Sequence, residues 1–424
     1  MEVVRSLIEN IEIPPMYRVR QNFYVNPLKD IEQSCIEQIT SLARLNTLGK
    51  GARIAVAVGS RGIADISLIS ASVVKALKAL GFEPFIVSGM ASHGKATDEG
   101  QAELLAELGI TEEAVGCPVQ ASVEVVEIGA IASGLKVYMD RIASEADGIV
   151  VINRIKTHTA FHAEYESGLV KMLAIGLGTD IGAKSCHQLG FGKMAENIVA
   201  MTRMKIEKLP VLFGVAVIED GAENVSIIEV VDADRIMDRE PELLKISKSY
   251  MPSIGIDQID VLVVDQMGKE ISGDGMDPNI TGRYSTPHAH GGPTVSKLAI
   301  LSVTEKSHGN IIGARQADIC TKKLFEAADL ETTYVNSLIA TVTEVARLPM
   351  MLPTDYDAIR AAILTCNIID FSQVRMVRIR DTLHLGELLV SEAMVDEVSA
   401  KTNIVGVEGP LEMKFENGTA LPVF

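Results

Sequence analysis

Basic residues are scarce: 39 Lys and Arg stand against 56 Asp and Glu, a formal net charge of −17. That balance argues against nucleic acid and anionic membrane surfaces as partners. It leaves room for a small anionic substrate wherever local cations outvote the global field. Cysteine is also sparse. The five cysteines are scattered, odd in number and never in a C-x-x-C pair, which points away from disulfides and structural zinc and toward a reducing, cytoplasmic setting. Long apolar runs are missing too. The longest, such as VLFGVAVI at 211–218, fall well short of the ~18 residues that span a bilayer. The opening MEVVRSLIENIEIPP has early acidic residues and no apolar core, so no signal peptide is expected. Repeats and low-complexity segments are absent.

At 47% hydrophobic over 424 residues, the chain is globular and long enough for two or three domains. RIAVAV at 53–58 reads as a buried strand, followed by the helical pattern IADISLISASVVKALKALGF. EPFIVSG is the next strand, and QAELLAELG a second helix opened by Thr97. ADGIVVINR at 146–154 and VLFGVAVIED at 211–220 supply two more strands. The stretch between residues 110 and 140 reads as an antiparallel or irregular insertion. A polar linking helix near 235–255 marks a boundary, and a second α/β pattern follows with DVLVVDQMG, LAILSVTE, RMVRIRD and HLGELLVSEA. The segment from IGARQ to NSLIA reads as largely helical, and VEGPLEMKFENG as a hairpin. The fold class is α/β: two α/β domains, 1–250 and 251–424, joined by linking helices with an active-site cleft between them. The last strands are expected to return to the first domain.

Polar residues gather just after predicted strands: Ser60 with Arg61; His93 with Lys95 and Thr97; Asn153, Arg154 and His158. Ligands of open α/β sheets bind at those strand ends. Arg61, opening a helix, can hold a carboxylate in a two-pronged grip, although GSRG lacks the spacing of a phosphate loop. SGDGMDPN lacks the ligand spacing of a calcium loop and reads as a tight turn. The densest chemistry lies in residues 153–192, with His158, His162, His187 and Lys171. Lys171 stands among Leu169, Val170, Met172, Leu173 and Ile175, where desolvation favours the neutral, reactive amine. A packed thiol is the expected role of Cys186. Two readings stay open from spacing alone: a hydrolytic metal pair of His158 and His162 with Glu166, or histidines serving acid–base chemistry beside a special lysine.

Taken together, these motifs resemble the lactate racemase family, most strongly over residues 53–192. VAVGSRG places Arg61 at the family's carboxylate-binding arginine. SHGKATDE matches its second motif at His93, Thr97 and Asp98. THTAFHAEYESGLVK resembles its third, with Ser167 and Gly168 ahead of Lys171. The resemblance implies a nickel-pincer nucleotide bonded to Lys171 and contacted by Thr97, Ser167 and Gly168, with nickel held by His187, sixteen residues on. It implies two proton-transferring histidines: His93, and a second with two candidates, His158 and His162, of which His158 is favoured because it directly follows the strand-end segment NRIKT. The expected activity is racemisation or epimerisation of a 2-hydroxy acid or related alcohol by hydride transfer, with cofactor-biosynthesis enzymes as partners. The chain also departs from the family pattern. Val58 replaces an aspartate, Thr281 and Gly282 stand where a Tyr-Gln pair is expected, and Arg283 takes the place of a lysine after Asp277 and Asn279. Arg283 is therefore expected to bind substrate. The departures point to a substrate other than lactate, or to a cofactor-binding protein without activity.

Overall fold

Every residue of Ile54–Val58 is buried, as a strand covered on both faces must be. Its even-numbered side chains pack with the helices Ile31–Thr40 and Ile66–Ala79. Ala55 and Ala57 face the opposite core with the helices Leu169–Ala174 and Met194–Lys208. The computed structural model describes residues 1–59 and 62–424. It divides into a continuous unit, Tyr24–Met251, and a split unit, Met1–Phe23 with Pro252–Phe424.

The continuous unit holds a six-stranded sheet ordered Val119–Gln120, Glu83–Ser88, Arg53–Val58, Gly148–Arg154, Val211–Glu219 and Val225–Asp232. All neighbours are parallel except the last pair. Val125–Ala130 and Lys136–Asp140 form the expected antiparallel insertion. The chain leaves the Arg53 strand on one side and later crosses to the other, so the strand order reverses between Arg53–Val58 and Gly148–Arg154.

The split unit repeats that logic. Met350–Leu352, Ile319–Thr321, Thr294–Val303, Gln258–Met267 and Met376–Ile379 run parallel in that order. Three antiparallel strands continue the sheet: Glu387–Ser391, Met16–Gln21 and Ile404–Leu411. Two α/β units are thus present, as the sequence implies.

The division differs from 1–250 and 251–424 at the start of the chain. Residues 1–23 belong with the second half because Met16–Gln21 pairs on both edges with late strands. The last strands therefore stay in the split unit and do not return to the first domain. Ile319–Thr321 is a strand inside the stretch read as helical. The tail hairpin is Phe415–Glu416 with Thr419–Ala420, while the preceding VEGPL belongs to the strand beside Met16–Gln21. The polar helix, Ile236–Tyr250, completes the continuous unit.

Candidate active site

Four strand ends converge on one short helix. Leu169–Ala174 carries Lys171 and lies beyond the carboxyl end of Gly148–Arg154. Asn153 Nδ2 donates to the Gly168 carbonyl at 2.7 Å. A Cβ on Gly59, just after the Arg53 strand, would lie 3.5 Å from Asn153 Oδ1. One on Gly89, just after the Glu83 strand, would lie 2.3 Å from Met172 Cε. Arg154 pairs with Glu219 at the end of the fourth strand, and Glu219 Oε1 accepts from the Ala64 N–H at 2.8 Å. The helix therefore sits where strand order reverses, the usual ligand crevice of such sheets.

The helix is held from below by Glu240, which is 1% exposed. Val170 N–H donates to Glu240 Oε2 at 2.9 Å, so a carboxyl caps the amino end of the helix. Burial pushes Glu240 up to about 7, against the lowering effect of its backbone donors. Gly168 makes the approach possible, since a Cβ there would lie 2.5 Å from Glu240 Oε1. Sequence reading missed Glu240, because a glutamate in a polar helix reads as solvated.

Lys171 Nζ lies 2.7 Å from His158 Nε2. His158 Nδ1 lies 3.0 Å from the Ala160 backbone nitrogen, which leaves Nε2 facing Lys171. The loop carrying His158 is fixed by buried Glu166, whose Oε2 accepts from the His158 N–H at 2.8 Å. Glu166 Oε1 accepts from Ala163 N–H at 3.3 Å and pairs with Lys248 Nζ at 2.6 Å. This removes the basis of the hydrolytic metal pair. Residues 155–168 are loop and not helix, and Glu166 is committed to the loop's own backbone. Among the described residues, no three His, Cys, Asp or Glu side chains are grouped to hold a metal ion.

His187 joins the same neighbourhood through Phe191. Its ring meets the Phe191 ring edge-on at 5.3 Å, and the His158 ring lies 6.1 Å from Phe191 and 4.4 Å from Phe161. His187 ends the helix Thr179–His187. Cys186 is a packed thiol, 3.6 Å from Met194 Sδ and pushed up to about 12 by burial.

His93 lies in the loop after Glu83–Ser88. That loop docks on the lysine segment through the Ala91 N–H, which donates to the Gly176 carbonyl at 3.2 Å. Gly94 closes the loop with φ 66°, and a Cβ there would lie 2.5 Å from the Gly100 backbone, so only glycine serves. Thr97 caps the helix Asp98–Glu107, accepting from the Gly100 N–H at 3.1 Å. Its hydroxyl has that structural duty whatever else it contacts. Arg61 lies outside the described residues, as does Ser60.

Arg283 has partners within the split unit. Its Nη2 donates to the Val295 and Ser296 carbonyls and to Asp318 Oδ2, each at 2.9 Å, so it braces a strand of the split unit. Asp277 caps the short helix Pro278–Thr281, and buried Thr281 donates to Gln316 Oε1 at 3.0 Å. Thr281 and Arg283, two of the positions that depart from that pattern, thus make local contacts within the split unit.

Lys205 is a second group the sequence did not single out. It is fully buried beside the same helix, with Nζ 3.4 Å from the Ala174 carbonyl. Burial pushes its ammonium down to about 7, although Cys186 and Asp140 act to raise it. Asp140 is pushed up to about 6, mainly by its own burial.

No curated protein sequence matches the chain. Among solved structures, a protein from Thermotoga maritima is 15% identical, with a TM-score of 0.49 over 76% of this chain and 84% of that one. The lactate racemase apoprotein from Thermoanaerobacterium thermosaccharolyticum is 14% identical, with a TM-score of 0.43 over 86% of this chain and 84% of that one. Neither likeness bears on substrate or mechanism. Residues 13–197, which include His93, His158, Lys171 and His187, match the family model of the lactate racemase N-terminal domain.

Proposed function

We propose that the protein is a cytoplasmic racemase or epimerase of a 2-hydroxy acid or a related alcohol, working with a nickel-pincer nucleotide attached to Lys171. The observation that carries this reading is the 2.7 Å contact between Lys171 Nζ and His158 Nε2. The residues fit such a group. Lys171 offers a nucleophilic nitrogen at a strand-order reversal, and His187, close by through Phe191, offers an imidazole suited to nickel. When bound, the group would supply a hydride acceptor, which an amino-acid side chain cannot.

The chain's own residues supply the rest. With Lys171 holding such a group, His158 Nε2, 2.7 Å from Nζ, would be the nitrogen that exchanges a proton with the substrate hydroxyl. His93, on the loop docked against the same helix, serves the opposite hand of the substrate. Arg61 fixes the carboxylate by its guanidinium fork. Thr97, Ser167 and Gly168 border the nucleotide. Buried Thr281, where the family carries a larger polar pair, favours a substrate other than lactate.

The test is intact mass and metal analysis of protein made with and without the cofactor-biosynthesis enzymes. Co-expression should add the nucleotide's mass at Lys171. Lys171→Ala should abolish the adduct, and His187→Ala should keep it while losing nickel. Racemase activity in cofactor-free protein, or an adduct on another lysine, would sink the reading.

A further inference from the structure

The helix Met194–Lys208 packs against both of the helices that carry Lys171 and His187, and all three lie within the continuous unit. Its inward side is mostly apolar. Met194, Ile198 and Met201 share a core with Leu173, Ala183 and Cys186. Three polar side chains interrupt that side: Asn197 is 3% exposed, and Thr202 and Lys205 are fully buried. Burying an amide, a hydroxyl and an ammonium costs stability unless each finds a partner. Leucine, valine and methionine would fill the same spaces without that cost.

Each of the three donates to a main-chain carbonyl of one of those two helices. Asn197 Nδ2 donates at 3.1 Å to the carbonyl of Cys186, the residue before His187. Thr202 Oγ1 donates at 2.8 Å to the carbonyl of Val170, the residue before Lys171. Lys205 Nζ donates at 3.4 Å to the carbonyl of Ala174, where the Lys171 helix ends. The two helices have six and nine residues, too few to hold themselves, and the Gly176–Gly178 turn joins them. Apolar packing alone would let them slide or roll. Hydrogen bonds to particular carbonyls are directional and resist both motions. The main chain beside Lys171 and the main chain beside His187 are therefore tied to one and the same helix.

We propose that Asn197, Thr202 and Lys205 are positioning residues, which fix the spacing between Lys171 and His187 so that one bound group reaches both. They act through main-chain carbonyls and not by contact with the group. The proposal rests on the reading of Lys171 as the attachment point and His187 as the nickel ligand. It explains why three polar side chains stand where apolar ones would pack: the directional bonds are kept for geometry, not for stability.

Apolar variants of similar shape test it: Asn197→Leu, Thr202→Val and Lys205→Met, with Thr202→Ser as the rescue that keeps the hydroxyl. Hydrogen exchange is followed by peptide mass spectrometry on cofactor-free full-length protein, beside urea unfolding. Thr202→Val and Lys205→Met should speed exchange across residues 168–179 by roughly ten-fold or more, without a matching fall in global stability. Asn197→Leu should do the same across residues 183–190. In protein made with the cofactor-biosynthesis enzymes, nickel bound per Lys171 adduct should fall roughly ten-fold in the three apolar variants, and Thr202→Ser should match the parent in both measurements. Parent-like exchange in Thr202→Val and Lys205→Met overturns the proposal, as does unchanged nickel per adduct in all three variants. A loss in Thr202→Ser equal to that in Thr202→Val overturns it too. If Lys205→Met fails to fold, the Thr202 pair decides. A parent that carries no adduct overturns the reading of Lys171 instead, and exchange alone then decides on the positioning.

Discussion

At the scale of single residues, the site turns on which partner each titratable group has. His158 Nε2 faces Lys171 at 2.7 Å, and its loop is pinned by Glu166. His158→Ala should therefore lower interconversion by about 10²–10⁴-fold in cofactor-loaded protein, the usual worth of a positioned acid or base. His162→Ala should stay within a few-fold of the parent. Steady-state rates of the two variants decide, and the reverse order would transfer the role to His162. Lys205 makes a different prediction, about stability. Its folded-state value is lowered to about 7 from 10.5. Between those values the unfolded chain holds a proton that the folded chain has released, so stability rises with pH through that window. Lys205→Met removes the buried ammonium and should be more stable than the parent by about 1–4 kcal/mol at pH 7 or below. That advantage should shrink steadily toward pH 10. Urea unfolding of both proteins across this range measures it, and a constant difference would refute the linkage.

At the scale of elements, the helix Leu169–Ala174 is too short to stand on its own propensity and depends on the Glu240 cap beneath it. The raised value of Glu240, about 7 against 4.5, has the opposite sign to that of Lys205. The folded carboxyl keeps its proton where the unfolded one has lost it, so this contribution is full below pH 4.5 and is lost as pH rises through 7. Glu240→Gln should flatten that part of the pH–stability profile. Gly168→Ala drives a methyl into the same carboxyl and should cost about 1–3 kcal/mol, as overpacking does. It should also slow adduct formation at Lys171, read by intact mass. Elements of this kind mark the limit of what sequence reveals. Continuous apolar runs such as Ile54–Val58 announce buried parallel strands, and the polar groups behind them announce the crevice. Lys171 stood out because a lysine interrupts an apolar run. Glu240 and Lys205 did not, since each sits in an amphipathic helix where a charge reads as solvated, and only tertiary packing buries it. At Arg283 a motif position fixes the residue type but does not reveal its local hydrogen-bond partners.

At the scale of the whole molecule, the least legible feature is the path of the first 23 residues. Met16–Gln21 alternates buried and partly exposed positions among arginines, with no apolar run to mark a strand. Yet it lies between Glu387–Ser391 and Ile404–Leu411. Ile8, Ile11 and Met16 enter a core with Ile359, Ala362 and Leu389, and Arg360 Nε donates to the Ile11 carbonyl at 2.8 Å. Burying a large aliphatic side chain contributes about 1.5–3 kcal/mol. Ile8, Ile11, Met16 and Val19 together therefore supply about 6–12 kcal/mol, which rivals the whole stability of a typical domain. Removing them also opens two sheet edges to misassociation. The continuous unit uses none of this segment. Residues 24–251 expressed alone should fold cooperatively, whereas 252–424 alone should be unfolded or aggregated. Fusing residues 1–23 to the 252–424 fragment through a flexible linker should restore a cooperative transition. Circular dichroism melts of the three fragments test the assignment, and a stable, cooperative 252–424 fragment without residues 1–23 would show that the N-terminal strand is an accessory to that sheet and not part of its foundation.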